Sequence, residues 1–252
     1  MEVVDVAVLC AAALAASILS GIVGMAGGIV LLTIMLLYFE PLIAIPLHGV
    51  IQLVSNGSRA VIQRAHVKWD LVWRYAVLLL PMAYVGLSVA RLLAPELAKT
   101  LIGLFVLLAT WRPGWLMFGT HPEQSLPQQR FVLLGGVGGF LQMNIGAIGP
   151  LIAPFFLNLG LSRHSIVGTK AAVQALGHLT KILLFGIVGF AFSEYGLLLV
   201  SMCGLVVLGT WIGSQLLHRV TERVFTWLFK SVLTLIALRL VLWEGWALLR
   251  MT

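Results

Sequence analysis

The chain has 252 residues, 60% of them hydrophobic and only 10% charged, with a net charge of +7. A soluble domain carries about 25% charged residues, so a chain of mean hydropathy +1.05 cannot keep a water-facing surface, and its solvent is largely lipid. The basic excess invites a nucleic-acid reading, but Lys and Arg sit mostly in short loops between apolar runs, where the positive-inside rule places them, so nucleic acid is excluded as a partner.

The first residues, Met1-Glu2-Val3-Val4-Asp5, are acidic, unlike the positive opening of a cleaved signal peptide. Apolar runs then predict membrane helices over 3–24, 27–39, 41–63, 71–94, 97–118, 131–146, 148–161, 165–190, 195–217 and 224–249. The one long polar interruption, 119–130, divides them into a first transmembrane repeat (1–120), a cytoplasmic linker (121–130) and a second transmembrane repeat (131–252). Tryptophans gather at run ends (Trp69 and Trp73, Trp111 and Trp115, Trp243 and Trp246), as in an interfacial aromatic belt. Cys10 and Cys203 lie inside apolar runs and read as small buried hydrophobes rather than a disulfide or a metal pair.

The two halves match at an offset of 122 residues. Gly24-Met25-Ala26-Gly27-Gly28 falls on Gly146-Ala147-Ile148-Gly149-Pro150, and the rare polar positions coincide: His48 with Lys170, Gln52 with Gln174, Ser58 with Thr180, Arg59 with Lys181. Runs 27–39 and 148–161 are short for full spans. Each half therefore reads as a broken, re-entrant helical hairpin plus three spans. Three crossings is odd, so the second half is inserted upside down: an all-α integral membrane fold of two inverted repeats. If each hairpin were one kinked span, the repeats would instead be parallel. The cluster Arg59, Arg64, Lys68 and Arg74 sets the cytoplasmic side. That leaves both termini outside, with a bacterial inner membrane as the expected location.

All nine acidic residues lie near run ends or in loops. A metal- or sodium-ion pathway would place carboxylates mid-span. What lies inside the runs is basic and amidic. His48, Gln52, Ser55, Asn56 and Arg59 share one face of a helix, and Thr169, Lys170, Gln174, His178 and Lys181 share one face of another. Intramembrane cations cost several kcal/mol unless they face a polar interior, so they mark a pathway. Without acids to pair with, they call for an anion. Lys170 and His48 are expected to balance its charge near the middle. Gln52, Gln174, Asn56 and Thr169 would orient its oxygens, with Arg59 and Lys181 lining opposite approaches and His48 or His178 carrying a coupled proton. The blander alternatives are snorkelling of Arg59 and Lys181 and ordinary interhelical bonding by the histidines and glutamines.

The helix breaks at Gly24, Gly27 and Gly28 and at Gly146 and Gly149, with Asn144 beside the second, offer free backbone N–H groups to an anion. Close helix packing or a tight turn is the alternative. Neither break ends in Gly-Lys-Ser/Thr, so no nucleotide is expected. No cofactor and no metal site is read in the sequence. The expected partners are a small anion and lipid, with a homodimer left open.

Gly21-x-x-Gly24-x-x-Gly27-Gly28, Gly146-x-x-Gly149-Pro150 and Gly168-Thr169, with the stretches His48 to Asn56 and Gly168 to Gln174, resemble the sulfite exporter TauE/SafE permeases over nearly the whole chain. Those permeases commonly carry a threonine where this chain has Leu47. The resemblance implies export of sulfite, an organosulfonate or a related sulfur-containing organic anion. A carrier is the leading reading. An anion channel with the same lining, and an intramembrane enzyme or assembly factor for sulfur compounds, are the alternatives.

Overall fold

The computed structural model describes residues 2–23, 27–112, 114–115, 130–157, 159–216 and 222–250. Gly24 and linker residues 121–129 lie outside them. The described residues contain helices and no strand, and each apolar run carries a helix.

Helix α1 (Val3–Val23) is followed by the nine-residue α2 (Gly27–Met35). At 1.5 Å per residue α2 covers about 13 Å, less than half of a bilayer core. It folds back on α1, where Gly27 lies against Ala16 and Ser20 too closely for any side chain. Residues 36–40 then return the chain as α3 (Pro41–Ile62), opened by Pro41 in the first turn, where the missing N–H costs nothing. Helices α4 (Trp69–Ala90) and α5 (Pro95–Trp111) complete the first half.

The second half has the same order. Helix α6 (Arg130–Asn144) ends at Gly146, whose φ of +81° suits glycine and breaks the chain ahead of the nine-residue α7 (Gly149–Leu157). Helix α8 (Arg163–Ile187) is capped by the Ser162 hydroxyl, which accepts from Ser165 N–H. Helices α9 (Gly196–Leu216) and α10 (Glu222–Arg239) follow, and α10 passes through a π turn (Leu240–Glu244) into α11 (Gly245–Leu249).

Among the described residues, three helices are long and apolar enough to cross a membrane by length and composition, within Val3–Ser20, Trp69–Ala90 and Phe192–Gly213. Helices α3 and α8 have the length, at 22 and 25 residues, but carry polar stripes. Those stripes face each other, because α3 packs along α8. Helix α4 packs along α6, α1 along α9 and α5 along α10; α4 also meets α8, and α3 meets α9.

The seams are made of small residues, which membrane helices need in order to approach closely. Gly135 fits against Tyr75, Gly139 against Leu79 and Ala83, and Asn144 Nδ2 donates to Gly86 O at 3.1 Å, so α6 and α4 run in the same direction. Helix α8 is antiparallel to α3: Gly168 lies on Gln63 at one end, and the His178 ring meets that of His48 at the other. One apolar cluster gathers around α1, α2, α3 and α9, the other around α4, α6, α7 and α8. Trp69, Trp73, Trp111, Trp115, Trp243 and Trp246 are all exposed, as a belt requires. Both cysteines are free thiols.

Candidate functional site

The polar stripe of α3 and that of α8 close on one cavity. Helix α3 contributes His48, Gln52, Asn56 and Arg59, and α8 contributes Gln174 and His178. The breaks supply Gly28 at the start of α2, and Gly149 and Pro150 at the start of α7. Three further polar residues, absent from the sequence reading of the site, complete it: Ser20 of α1, Tyr75 of α4 and Gln142 of α6. The empty space among them, with its opening, is about 530 Å³. No carboxylate is among the described lining residues.

Two short helices therefore begin at this cavity, and their N-termini favour negative charge, each by a few tenths to about 1 kcal/mol when exposed and more when buried. Arg59 adds a full positive charge. Its Nε donates to Ser55 O at 3.3 Å, and its Nη2 donates to Ser55 Oγ at 2.7 Å and Ser20 Oγ at 3.1 Å. All these partners are neutral, so the charge stays available to an anion. Asn56 Nδ2 donates to Gln52 Oε1 at 3.3 Å, which fixes the amide of Gln52 over Gly28. His48 Nε2 donates to Gly28 O at 2.8 Å. The rings of His48 and His178 lie edge to face, 5.8 Å between centroids. His48, Asn56, Gln142 and His178 are all buried.

The other expected site residues lie outside this lining. Lys181, fully buried, donates from Nζ to Gly146 O at 2.8 Å and so holds the α6–α7 break. Thr169 accepts from the Lys68 N–H at 2.9 Å and ties α8 to the start of α4. Asn144 Nδ2 bonds Phe140 O and Gly86 O. Gly27 and Gly146 make close packing contacts with Ala16 and with Leu32 and Ile45. Lys170 is buried and within electrostatic reach of Arg59.

This grouping differs from the one expected from spacing, with Lys170 and His48 central and Arg59 and Lys181 at the approaches. Antiparallel packing of α3 on α8 sets Lys170 at the level of Arg59, and Lys181 at the level of His48 and His178. The polar faces of α3 and α8 thus carry two basic levels, with the amides of Gln52, Asn56, Gln142 and Gln174 between them.

Ser20 and Gln142 were missed because each lies near the end of an apolar helix with only one polar residue nearby, Ser17 and Asn144 respectively. A signal existed: they are 122 residues apart, the same offset that pairs Gln52 with Gln174.

A family model described as Sulfite exporter TauE/SafE matches residues 9–240. No curated protein and no solved structure matches the chain.

Proposed function

The chain belongs to the sulfite exporter TauE/SafE family, and on that premise we propose that it is a secondary transporter exporting sulfite, an organosulfonate or a related sulfur-containing organic anion through the cavity between α3 and α8. The observation that carries this reading is a buried cavity with an arginine, two histidines, amides and two helix N-termini, and no carboxylate among its described lining. Arg59, the amide N–H groups and the two helix N-termini stabilise an oxyanion, and a cation would meet no carboxylate in the described lining.

The helix pairing supports an inverted repeat of 1–120 and 131–252. Exchanging α1 with α6, α2 with α7, α3 with α8, α4 with α9 and α5 with α10 turns the α4–α6 pair into α9–α1, and α4–α8 into α9–α3; α3–α8 and α5–α10 map on themselves. Helix α6 runs with α4, hence against α3 and α1. Alternating access then follows from rocking of the two halves about α3 and α8. The basic residues Arg64, Lys68, Arg74 and Arg112 lie at the end of the bundle where α3 and α5 finish. We assign that end to the cytoplasm of a bacterial inner membrane, which sets both termini outside. His48 and His178 are the groups assigned to proton coupling.

A thermal-shift panel on the detergent-purified protein tests the assignment, because ligand stabilisation grows with the logarithm of occupancy. Sulfite, thiosulfate, sulfoacetate or taurine is expected to raise the melting temperature of the wild type and not of Arg59→Met. Stabilisation by metal or organic cations alone would sink the anion reading.

A further inference from the structure

Three buried polar atoms on the cavity-lining side chains lack a protein partner: His48 Nδ1, Gln142 Nε2 and His178 Nδ1. An unsatisfied buried polar atom costs about 1–3 kcal/mol, so such atoms in a ligand cavity describe the ligand that completes them. For two of the three the hydrogen-bonding sense can be read.

His48 Nε2 contacts the Gly28 carbonyl, which can only accept, so Nε2 carries the proton and Nδ1 of the neutral ring is an acceptor. The Gln142 amide lies against Gly177 of α8, Oε1 nearer than Nε2, and Nε2, a donor, has no partner. His178 Nδ1 takes whichever role its tautomer gives and adds no constraint. A fully ionised oxyanion satisfies Gln142 and Arg59 but leaves His48 Nδ1 without a hydrogen. An oxyanion that brings one hydrogen satisfies both senses.

We infer that the cavity selects a sulfur oxyanion carrying one hydrogen-bond donor, a hydrogensulfite or a hydroxy- or ammonio-sulfonate, which donates to His48 Nδ1 and accepts from Gln142 Nε2. This rests on the anion-transporter reading above and specifies its substrate class. It also fixes the proton's place. Where only the sulfite dianion is offered, one solvent proton enters with it, on the ligand oxygen or on His48 Nδ1. The charged and titratable groups facing His48 are Lys181 and His178, both of α8. Helix α2 presents the Gly28 carbonyl, and no acid lines the described site.

Calorimetric titration of the purified full chain with two isosteric monoanions, hydroxymethanesulfonate and ethanesulfonate, reads the selectivity directly. The hydroxyl compound is expected to bind about tenfold tighter or better, the worth of one satisfied buried acceptor. The ratio should collapse towards unity in His48→Leu, shown by its melting curve to be folded, which removes the acceptor, whereas Gln142→Leu should weaken both ligands alike. Sulfite titrated above the pH at which hydrogensulfite ionises, in buffers of differing ionisation heat, should take up about one proton per anion bound. Equal affinities for the two sulfonates, or sulfite binding without proton uptake, would overturn the inference and leave the anion reading intact. Failure of both sulfonates and of sulfite to bind would overturn both readings.

Discussion

The ammonium of Lys181, on α8, donates to the carbonyl of Gly146 at 2.8 Å, so a charge with no carboxylate beside it among the described residues is attached to the backbone break that opens α7. The bond does two things. It satisfies a carbonyl that the broken helix leaves without an N–H partner, and it sets a positive charge at the level of His48 and His178. The desolvation of a buried unpaired charge amounts to several kcal/mol, more than the one hydrogen bond returns. The position is therefore expected to serve the anion at the expense of the empty protein.

Lys181→Met tests that balance. The variant is expected to melt at or above the wild-type temperature in the absence of ligand, while its affinity for sulfite falls by about tenfold or more, as expected for loss of a nearby charge in a partly polar interior. A thermal scan paired with titration separates the two effects. A variant that is destabilised yet binds sulfite normally would make Lys181 a purely structural fastener.

Gly177→Ala addresses Gln142 without touching the cavity lining directly. A Cβ at position 177 would come within 2.5 Å of Gln142 Oε1, the end of a side chain that can move. The fold should survive and Gln142 should shift, weakening sulfite binding by about tenfold through the lost donor. Gly204→Ala is the internal control, since a Cβ there meets nothing within 4 Å. Equal affinities in the two variants would remove Gln142 from the site.

Thr169→Val separates a tether from a ligand contact. Its hydroxyl accepts from Lys68 N–H, outside the cavity lining, so the substitution should cost about 1 kcal/mol of stability with sulfite affinity unchanged. Calorimetry showing a large affinity loss would return the hydroxyl to the substrate path.

Gly135→Ala probes the seam that holds the α6–α7 break in place. A Cβ there would run into the Tyr75 carbonyl, backbone that cannot turn aside, so α6 and α4 must separate. Overpacking of this kind costs about 1–3 kcal/mol, and a lowered melting temperature is expected with or without ligand. An unchanged one would mean that the seam is looser than its geometry.

The helices were legible because lipid imposes a simple rule: runs of apolar residues near 20 long, and shorter ones where the chain breaks. The short α2 and α7 fell on the two runs expected to be re-entrant. The polar faces of α3 and α8 were legible from helical period, and the cavity lies between them. Partners were not legible. Lys181 and Thr169 read as site residues in a linear reading; that one bonds Gly146 and the other Lys68 could not be read there, since only the tertiary crossing of α8 creates those contacts. Ser20 and Gln142 were hidden for the opposite reason, since the few polar residues on their apolar helices, Ser17 beside the first and Asn144 beside the second, are too few to show a period.

Sulfite counterflow into proteoliposomes tests the central claim most directly: that the cavity between α3 and α8 is the path of a sulfur oxyanion. Vesicles preloaded with unlabelled sulfite should accumulate labelled sulfite through the wild-type protein. Arg59→Met, shown by its melting curve to be folded, should fall to the level of protein-free vesicles. Equal counterflow by both proteins, or none by a wild type that still moves cations, would contradict the account.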